Sequence, residues 1–528
     1  MSTRHLLNNA QNGSFEAAVQ VFLNFSNGTQ DFEKSEEHAR QAFEIAKKIL
    51  ESSFYLNELN ISNFKRILEL KINLHQNLTV FIGENGVGKT SLLNAIQKNL
   101  SWFTAAILKE NTNGERIVDK EINNQAKMNG YVSYLNCVFK IGSDYGIHGQ
   151  LVREPRGITS DLKTDVMEYR KFGRNIRDLI AFGKVDLPLF VFYDIERFKL
   201  NPNSKEVDTA GGIFYQLDGY DRSSKSKVTV EIFIDWLIKL LKTSNVVINT
   251  PERLKIKSQV DNLIKAGANN KENSLNELYE DLVLTLKLYP DDEAKSESKK
   301  TIKILEKLFR RIYPNLIQIQ LINDDDGVDK VTIQLDNEII LFNQFSDGQR
   351  VLFGLLGDIA RRLILLNSFE DNPLKGRGIV LIDEIELHLH PSWQQKIILI
   401  LRKSFPNIQF IITTHSPHVI TTVEPECIRS IYIDPETNTY KYEVPHFTKG
   451  AESNVVLENV FYVDPRPQEV DEVGWLEEYT LLVNQDKWDS EEALSLRKKL
   501  DAWGKNKEPE LDKLDIEISL KNFKRSKK

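Results

Sequence analysis

Cysteine and long apolar runs are scarce in this sequence, and each scarcity excludes a class of protein. Two cysteines, Cys137 and Cys427, stand among 528 residues, which excludes a disulfide framework and a cysteine-ligated metal cluster. Such sparse thiols fit a reducing cytoplasm. The longest aliphatic stretches, such as residues 397–401, are far too short to span a bilayer, and residues 1–9 lack the apolar core of a signal peptide. We therefore expect a cytoplasmic protein with no membrane segment.

An excess of positive charge is also lacking. The formal net charge is −7 at pH 7, which gives no overall electrostatic footprint for nucleic acid. Basic residues nevertheless gather in two runs: Arg170, Lys171, Arg174 and Arg177, and then Lys299, Lys300, Lys303, Lys307, Arg310 and Arg311. Helical spacing in the second run would place several of these side chains on one face. A solvated helix surface and a nucleic-acid-binding stripe both fit this pattern, so nucleic acid stays open as a partner.

What the sequence does contain is a complete phosphate loop, G-x-x-x-x-G-K-[ST], near its front. Residues 80–82 are an apolar run typical of a buried parallel strand, and residues 91–96 continue as a helix. The glycines let the backbone wrap a phosphate with its N–H groups pointing inward, and the helix N-terminus favours the anion. Lys89 is expected to reach the β- and γ-phosphates of ATP, and Thr90 to hold Mg²⁺. The predicted nucleotide-binding residues of this loop are Gly83, Glu84, Asn85, Gly86, Val87, Gly88, Lys89, Thr90 and Ser91.

Two further apolar runs end in polar residues that complete a nucleotide site. Residues 379–382 predict a buried strand that is followed by paired carboxylates. Asp383 is expected to complete the Mg²⁺ shell, as the Walker-B carboxylate does in phosphate-loop enzymes, and Glu384 to orient or deprotonate the attacking water. Residues 408–414 predict another strand, which ends at His415. This histidine is placed to donate a hydrogen bond to the γ-phosphate and so to sense it.

A second anion cradle is predicted at residues 346–349, before the carboxylate strand. Ser346, Gly348 and Gln349 precede an amphipathic helix, whose N-terminus would add to the cradle. On its own this pattern is also that of an ordinary helix cap. It resembles the signature motif of ABC-type ATPases, in which the second cradle belongs to the opposite protomer and ATP joins a two-fold dimer. That resemblance implies a homodimer or a higher even oligomer.

The sequence resembles a more specific group, the overcoming-lysogenization-defect (OLD) type of SMC-like ATPase. The likeness lies in residues 383–391, 63–66 and 187–193, and it covers about residues 55–220 and 330–440. Within that group the chain is similar to the ATPases of Septu and retron-associated antiphage systems. The resemblance implies an ABC/SMC-type P-loop NTPase head of α/β class. It also implies an ATPase that regulates a separate HNH-type nuclease and, in retron systems, a reverse transcriptase with its RNA–DNA product.

One feature of the related ATPases has no clear counterpart in this sequence. Between the phosphate loop and the signature, the coupling glutamine of the Q-loop is not evident, and Gln125 and Gln150 are the candidates.

The C-terminal acidic residues lack the E-G…D-x-D arrangement of a Toprim nuclease. The sequence therefore predicts no nuclease activity of its own.

The chain is predicted to divide into five parts. These are a helical repeat-like N-terminal extension (1–52), head lobe I with the phosphate loop (53–218), a compact helical insertion (219–312), head lobe II (313–448) and C-terminal helices that dock a partner (449–528). The docking role rests on apolar residues that are unusual in a disordered tail, since aromatic residues are enriched in interface hot spots. They are Trp475, Leu476, Tyr479, Leu481, Leu482, Trp488, Leu496, Leu500 and Trp503. Folding of this segment back onto the head is the alternative.

Two other functions fit the same motifs. One is a DNA-repair or recombination ATPase that clamps DNA directly, and the other is a scaffold in which ATP is a structural ligand. The presence of Glu384 argues against the scaffold, because a site that only binds ATP needs no water-orienting carboxylate.

Overall fold

The computed structural model divides the chain into two compact units, residues 1–450 and residues 451–528. It describes residues 3–29, 32–142, 145–195, 215–221, 229–245, 251–266, 275–287, 292–323, 329–505 and 507–526. The first unit contains all the predicted nucleotide-site residues. It runs without a break across the predicted boundaries at residues 52, 218 and 312, and those inner boundaries stay predictions.

Helices and strands alternate through the first unit, and helices make up the second. The described helices are α1 (Thr3–Gln11), α2 (Phe15–Asn27), α3 (Glu36–Leu50), α4 (Lys89–Leu108), α5 (Asn124–Asn129), α6 (Met167–Phe182), α7 (Thr229–Asn245), α8 (Pro251–Lys265), α9 (Asn276–Lys287), α10 (Asp292–Phe309), α11 (Asp347–Leu366), α12 (Pro391–Ser404), α13 (Pro417–Ile420), α14 (Ser453–Asn459), α15 (Asp471–Asn484), α16 (Glu491–Gly504) and α17 (Pro509–Ser526). The described strands are β1 (Phe54–Phe64), β2 (Ile67–Asn73), β3 (Leu78–Gly83), β4 (Ser133–Ile141), β5 (Tyr145–Arg153), β6 (Leu189–Tyr193), β7 (Leu316–Asn323), β8 (Asp329–Leu335), β9 (Ile339–Leu341), β10 (Gly378–Ile382), β11 (Ile408–Thr413), β12 (Ile428–Ile433) and β13 (Tyr440–Glu443).

A six-stranded sheet, ordered β13–β12–β3–β11–β10–β6, forms the centre of the first unit. All its pairs are parallel except β12 with β13. Every residue of β6, β10 and β11 is buried, as expected for parallel strands covered on both faces. Because β3, β10 and β11 are neighbours running in one direction, their carboxyl ends meet at one edge of the sheet. This edge brings Gly83, Asp383 and Thr413 into one region.

A second sheet is antiparallel, with the order β2–β1–β4–β5. One glutamine of the central sheet joins the two layers. The Gln409 side chain accepts a hydrogen bond from Leu56 N at 2.8 Å and donates to Leu56 O at 2.9 Å. These bonds replace ladder bonds at the irregularity of β1 between Leu56 and Glu58. The Gln409 side chain therefore fixes the antiparallel sheet against the central sheet. It also fixes the position of the loop that extends from the antiparallel sheet toward the phosphate loop.

Helices α7 and α10 pack on the long helix α11, beside a small antiparallel sheet of β7, β8 and β9. A Cβ at Gly357 would lie 2.5 Å from the Phe233 ring, so only glycine permits this approach of α7 to α11. Phe309 of α10 stacks on Phe353 of α11 with ring centroids 3.7 Å apart. The helical insertion is thus anchored on the helix that begins at the signature residues.

The N-terminal helices pack on helix α6 of the same unit. Phe15 of α2 lies 5.5 Å from Phe172, and Phe22 lies 4.8 Å from Phe182, measured between ring centroids. A small repeat-like unit cannot bury its own apolar face. Here α6 supplies the missing partner surface.

The second unit has a hydrophobic core of its own. Its buried residues are Leu476, Tyr479, Val483, Trp488, Ala493, Leu496, Leu500, Leu511 and Leu514, with Trp475, Leu482 and Ile518 packed against them. The C-terminal apolar residues therefore mostly fill this core, and the docking role of the segment stays a prediction. Among the residues in that prediction, Leu481 and Trp503 stay exposed, at 58% and 37%.

The predicted α/β class is confirmed: a mostly parallel central sheet is covered by helices, and additional helices lie before, within and after this part of the chain. Among the described residues, no helix is both long enough and apolar enough to cross a membrane.

Candidate functional site

The phosphate loop lies between β3 and α4, as predicted. Lys89 Nζ donates hydrogen bonds to the carbonyl oxygens of Gly83 and Glu84, both at 2.8 Å. The ammonium group therefore bridges the two ends of the loop and holds it curved. Gly88 precedes α4 and offers no side-chain cap, so the first N–H groups of this helix face the loop without an internal partner.

The first glycine of the loop is required by close packing. Gly83 has φ +143, and a Cβ at this position would lie 2.3 Å from Ile431 O of the neighbouring strand β12. Any other residue would push the loop away from the sheet. The loop is also held from its outer side, where Arg66 donates to Gly86 O at 3.2 Å.

One threonine positions both predicted carboxylates. The Thr413 hydroxyl donates to Asp383 Oδ1 at 2.5 Å and accepts from Glu384 N at 2.8 Å. Asp383 is only 1% exposed, whereas Glu384 is half-buried. The residue that would bind a metal is thus fixed and buried, and the residue that would act on water is partly accessible to solvent.

The backbone turns sharply at Glu384, which has φ +46. This left-handed conformation costs about 1 kcal/mol or more for a residue with a Cβ. Strain of this kind persists where the surroundings enforce it, and it clusters at functional sites. Here the enforcing contacts are the bonds of Glu384 N to Thr413 Oγ1 and of Leu387 N to Glu384 O, the latter at 3.0 Å.

A third carboxylate, Glu386, holds the loop that carries the predicted switch histidine. Its Oε1 accepts from His415 N at 2.6 Å, and its Oε2 accepts from the Thr414 hydroxyl at 2.7 Å. Both oxygens of one carboxylate are therefore used to fix the two residues that follow β11. Glu386 stands two residues after Glu384 in the sequence, and its acidic character so close to the paired carboxylates was the available signal.

The predicted site residues also affect each other's protonation. Burial lowers the pKa of Lys89 to about 8, although Asp383, Glu384 and Glu386 all act to raise it. Lys89 therefore stays mostly charged at neutral pH. Burial, followed by the positive charge of Lys89, lowers the pKa of His415 below its usual value. A neutral imidazole at pH 7 can still donate one hydrogen bond to an anion.

The donor set fits a nucleoside triphosphate with Mg²⁺. Lys89 and the start of α4 offer positive charge and N–H groups for phosphate oxygens. The Thr90 hydroxyl is exposed next to Lys89, and the Asp383 carboxylate lies at the end of the adjacent strand β10. Hydroxyl and carboxylate oxygens are the ligands that Mg²⁺ prefers. A bound Mg²⁺ would neutralise the charge that develops on the phosphates.

The signature residues stand at the start of α11 in a capping box. Ser346 Oγ accepts from Gln349 N at 3.4 Å, while Ser346 N donates to Gln349 Oε1 at 2.9 Å. A Cβ at Gly348 would lie 2.4 Å from His388 O, so this glycine allows the helix to meet the loop after the carboxylate strand. Ser346 is exposed. In the described parts of the chain, no hydrogen bond or ion pair joins these residues to the phosphate loop.

Gln125 and Gln150 do not resolve the missing coupling glutamine. Gln150 lies in β5, where its side chain donates to Lys163 O at 3.2 Å. Gln125 is exposed in the short helix α5. Neither glutamine has a hydrogen bond to a site residue in the described parts of the chain, and the position of the Q-loop stays open.

The chain matches the family model described as AAA ATPase domain over residues 55–420. The retron Ec83 probable ATPase of Escherichia coli is 32% identical, over 93% of this chain and 92% of that protein. The retron Vc95 probable ATPase of Vibrio cholerae serotype O1 biovar El Tor is 29% identical, over 76% and 77%. The Septu protein PtuA of Bacillus thuringiensis is 23% identical, over 78% of this chain and 84% of that protein. The matched residues include the phosphate loop, the signature, the carboxylate strand and His415.

Proposed function

This chain belongs to the AAA ATPase domain family and is an ATPase of the retron and Septu antiphage type, and on that basis we propose that it dimerises head to head around ATP and regulates a separate effector nuclease. The proposal takes ATP with Mg²⁺ as the ligand of the phosphate loop. It assigns the chain no nuclease activity of its own. It also places the protein in the cytoplasm, in line with its two free cysteines, Cys137 and Cys427.

The observation that carries the dimer is the exposed start of α11. Ser346 and the N-terminus of this helix would form the predicted anion cradle, and in the described parts of the chain they have no hydrogen bond to their own phosphate loop. A second chain related by a two-fold axis would bring its own cradle to the first chain's nucleotide, and the reverse. Each nucleotide would then lie between Lys89 of one protomer and Ser346, Gly348 and Gln349 of the other.

Within one such site, each side chain has a separate task. Lys89 would bind the β- and γ-phosphates, and Thr90 with Asp383 would hold Mg²⁺. Glu384 would orient and deprotonate the attacking water. His415 would donate to the γ-phosphate and so report whether it is present, with Glu386 and Thr414 fixing its backbone. Hydrolysis would therefore loosen the two-fold contact by removing the group that both chains bind.

The regulated partner is proposed to be an HNH-type nuclease, together with a reverse transcriptase and its RNA–DNA product in a retron setting. The relatives that carry this idea are a retron ATPase and a Septu protein. The second unit, residues 451–528, is the proposed docking element. Its exposed apolar side chains, rather than its core, would make the contact; these include Leu481, Leu494, Ile516 and Leu520, each at least 56% exposed.

Purification of the tagged chain from its own host, followed by mass spectrometry, tests this function. We expect a nuclease to co-purify in a fixed ratio with the ATPase. The Lys89→Ala variant serves as the nucleotide-free comparison, and a changed nuclease activity of its complex would show regulation by ATP. Recovery of DNA fragments with no nuclease subunit would contradict the proposal and favour a DNA-clamping ATPase.

A further inference from the structure

Helix α10 divides into a buried face and a basic face. Its buried residues are Ser298, Thr301, Ile302, Leu305, Leu308 and Phe309. The side chains of Lys299, Lys300, Lys303, Lys307, Arg310 and Arg311 are all exposed. Helix α10 ends at Phe309, so Arg310 and Arg311 lie in the turn that follows it. At 3.6 residues per turn, the four lysines on the helix fall within an arc of about 100° opposite the buried face. The spacing noted in the sequence therefore does place these lysines on one surface, and together with Arg310 and Arg311 they are here named the α10 stripe.

Five of the six cations have no partner among the residues that the structure describes. Arg310 is engaged, since it donates to Leu316 O at 2.8 Å and to Ile317 O at 2.7 Å. The other members, Lys299, Lys300, Lys303, Lys307 and Arg311, form no salt bridge or side-chain hydrogen bond with any residue that the structure describes. Exposed lysines usually find an acidic neighbour three or four residues away on a helix when one is present. Glu297 and Glu306 each stand three residues from a stripe lysine, yet among the described residues neither forms a salt bridge with one, and Glu306 pairs with Arg310 instead.

The other basic run of the sequence is different. On α6, Arg170 donates to Asn113 Oδ1 at 2.7 Å and lies over the Trp102 ring, and Lys171 pairs with Glu16 of α2. Arg177 donates to the carbonyl oxygen of Ala106. These cations attach the N-terminal helices and α4 to α6, so their role is internal. Apart from Arg310, the members of the α10 stripe make no such internal contact with the part of the chain that the structure describes.

We propose that the α10 stripe binds the phosphodiester backbone of a nucleic acid. The four lysines extend over about 12 Å of helix, at 1.5 Å per residue, and Arg311 follows in the next turn. A nucleic-acid strand carries about one phosphate per 3.4 Å of its axis, so the stripe meets a comparable density of opposite charge. Contacts of this kind fix position on the backbone and carry no base sequence.

The surface chemistry favours nucleic acid over an acidic protein. Cores of protein–protein interfaces are depleted in lysine and enriched in aromatic residues and methionine. In the described parts of α10, no large apolar side chain is exposed. Without an apolar centre, the stripe has only charge to offer, and the ligand whose affinity depends mostly on charge is a phosphate backbone. The formal net charge of −7 shows that this positive surface is local.

The inference goes beyond the proposed function, because neither the effector nuclease nor head dimerisation is needed for it. It also links nucleic acid to the ATPase head. The buried face of α10 packs on α11 through Phe309 and Phe353, and α11 begins at the signature residues. A strand bound on the stripe would lie one helix away from the signature cradle.

Fluorescence anisotropy with labelled single-stranded DNA, duplex DNA and RNA–DNA hybrid tests the proposal on the full chain. The titrations cover about 50 to 200 mM KCl. The stripe variant carries Lys300→Gln, Lys303→Gln and Lys307→Gln. The matched control carries Lys109→Gln, Lys163→Gln and Lys403→Gln, which are exposed lysines elsewhere in the first unit. A third variant with arginine at positions 300, 303 and 307 keeps the charge. Basal ATPase activity without nucleic acid checks that every variant is folded.

We expect the stripe variant to bind at least about tenfold more weakly at intermediate salt. The slope of log affinity against log salt should fall by about two for single strands and nearly three for duplexes, because each lost phosphate contact removes about 0.7 to 0.9. The control and the arginine variant should keep the parent slope. Equal slopes for the stripe variant and the control would overturn the proposal. Binding of poly-glutamate without binding of any nucleic acid would also overturn it and assign the stripe to an acidic protein.

Discussion

Thr413 shows how one side chain can determine the geometry of two functional groups. Its hydroxyl binds the Asp383 carboxylate and the Glu384 backbone N–H at the same time. The aspartate is thereby fixed for a metal, while the strained turn at Glu384 is stabilised. A hydroxyl can serve both because it is a donor and an acceptor. A valine here would match the shape but supply neither bond.

Replacement of Lys89 by alanine is expected to abolish ATP binding. Lys89 is the cation that the phosphate loop aims at the phosphates, and charge-assisted hydrogen bonds of this kind are the strong ones. The loop would also lose the bonds to Gly83 O and Glu84 O that keep it curved. Isothermal titration calorimetry measures the effect directly. Unchanged ATP affinity in Lys89→Ala would mean that the site lies elsewhere.

Glu384→Gln should bind ATP as tightly as the parent but hydrolyse it at least about tenfold more slowly. The amide keeps the shape of the side chain and cannot accept a proton from water. The backbone bond to Thr413 involves the N–H of residue 384 and is retained. Steady-state phosphate release together with calorimetry separates turnover from binding. A smaller loss of turnover would show that Glu384 is not the principal base.

A carboxylate outside the site, Asp186, should make stability depend on pH. Burial raises its pKa to about 6, with Glu370 and Glu51 adding to the effect, while the bond from Phe369 N and the charge of Lys47 oppose it. Because the folded-state pKa lies above the unfolded one, the folded protein loses stability as pH rises from about 4 toward 6 and keeps that deficit above it. Asp186→Asn should therefore stabilise the protein at pH 7.5, on the order of 1 kcal/mol.

The gain from Asp186→Asn should shrink as pH falls and disappear at about pH 3.5, where the carboxyl is protonated in the folded and the unfolded protein alike. Thermal unfolding of parent and variant at both pH values measures this difference. Asp161→Asn, at an exposed position, is the matched control and should change little at either pH. Equal stabilisation of Asp186→Asn at both pH values would show that its charge is not the cause.

Single residues differed in how far the sequence could predict them. Lys89 and Asp383 follow apolar strands, and the parallel sheet does bring the strand ends together. Glu386 was missed because its role depends on bonds to Thr414 and His415, which belong to another strand. A carboxylate in a loop after a strand is usually solvated, and its position beside the paired carboxylates does not by itself show that it is bound. Such contacts follow from tertiary packing, which a motif does not contain.

At the scale of elements, helix α11 joins the signature to the carboxylate strand. Its buried Asp358 accepts from Arg361 at 2.8 Å and from Arg362 at 2.7 Å. The Tyr193 hydroxyl of β6 donates to the same carboxylate at 2.9 Å, and Tyr193 O accepts from Asp383 N at 2.9 Å. Removal of one partner from a buried ionic group costs about 3 to 5 kcal/mol. The helix is thus held rigidly to the strand that is followed by the two predicted site carboxylates.

The sequence predicted the apolar spacing of α11 but not this buried ionic group. Val351, Leu355, Ile359 and Leu363 are buried, as their helical spacing indicates. Asp358 and Arg362 stand in the same helix with charges that normally face solvent. Their burial is explained by β6 and the turn at residues 216–220, which pack against α11. Arg362, for example, also donates to Gly219 O of that turn at 2.9 Å.

The start of α11 is where the proposed composite site can be tested. Ser346→Arg should leave the head folded and able to bind ATP, since Ser346 is exposed, but it should stop turnover by placing a bulky cation in the opposite protomer's site. Mixed with Lys89→Ala, it forms heterodimers in which one site carries both lesions and the other carries neither. ATPase assays on the mixture should recover up to about a quarter of parent activity, since half the dimers are mixed and half their sites intact.

Each single variant alone is the control and should stay inactive in that assay. The mixture is informative once mixed dimers are demonstrated by differential tagging. If mixed dimers form and still show no activity, each chain uses its own signature and the two-fold arrangement is wrong.

At the scale of the whole molecule, the chain combines the first unit, which contains the nucleotide-site residues, with a small helical second unit that has a core of its own. The apolar content of residues 451–528 suggested an interaction surface, and the structure shows that most of it stabilises this unit instead. Aromatic residues supply core and interface energy by the same burial, so the sequence alone could not separate the two uses. Solvent exposure distinguishes the residues that could form an interface from those that form the core. Ile516 and Leu520 lie one turn apart on α17, at 63% and 56% exposure, while Leu511 and Leu514 of that helix are buried.

The last prediction concerns this helical unit as a docking element. Deletion of residues 451–528 should leave ATP binding by the first unit intact, because that unit contains the phosphate loop and every strand of the central sheet. It should remove the effector nuclease from the purified complex and abolish protection of cells from phage.

The double substitution Ile516→Glu and Leu520→Glu should give the same loss without removing the core of the unit. Glu477→Gln with Glu492→Gln, exposed positions on α15 and α16, is the matched control. Full co-purification of the nuclease with the chain that lacks residues 451–528 would place the docking surface on the first unit. Loss with the deletion but not with the double substitution would move the contact to another face of the helical unit.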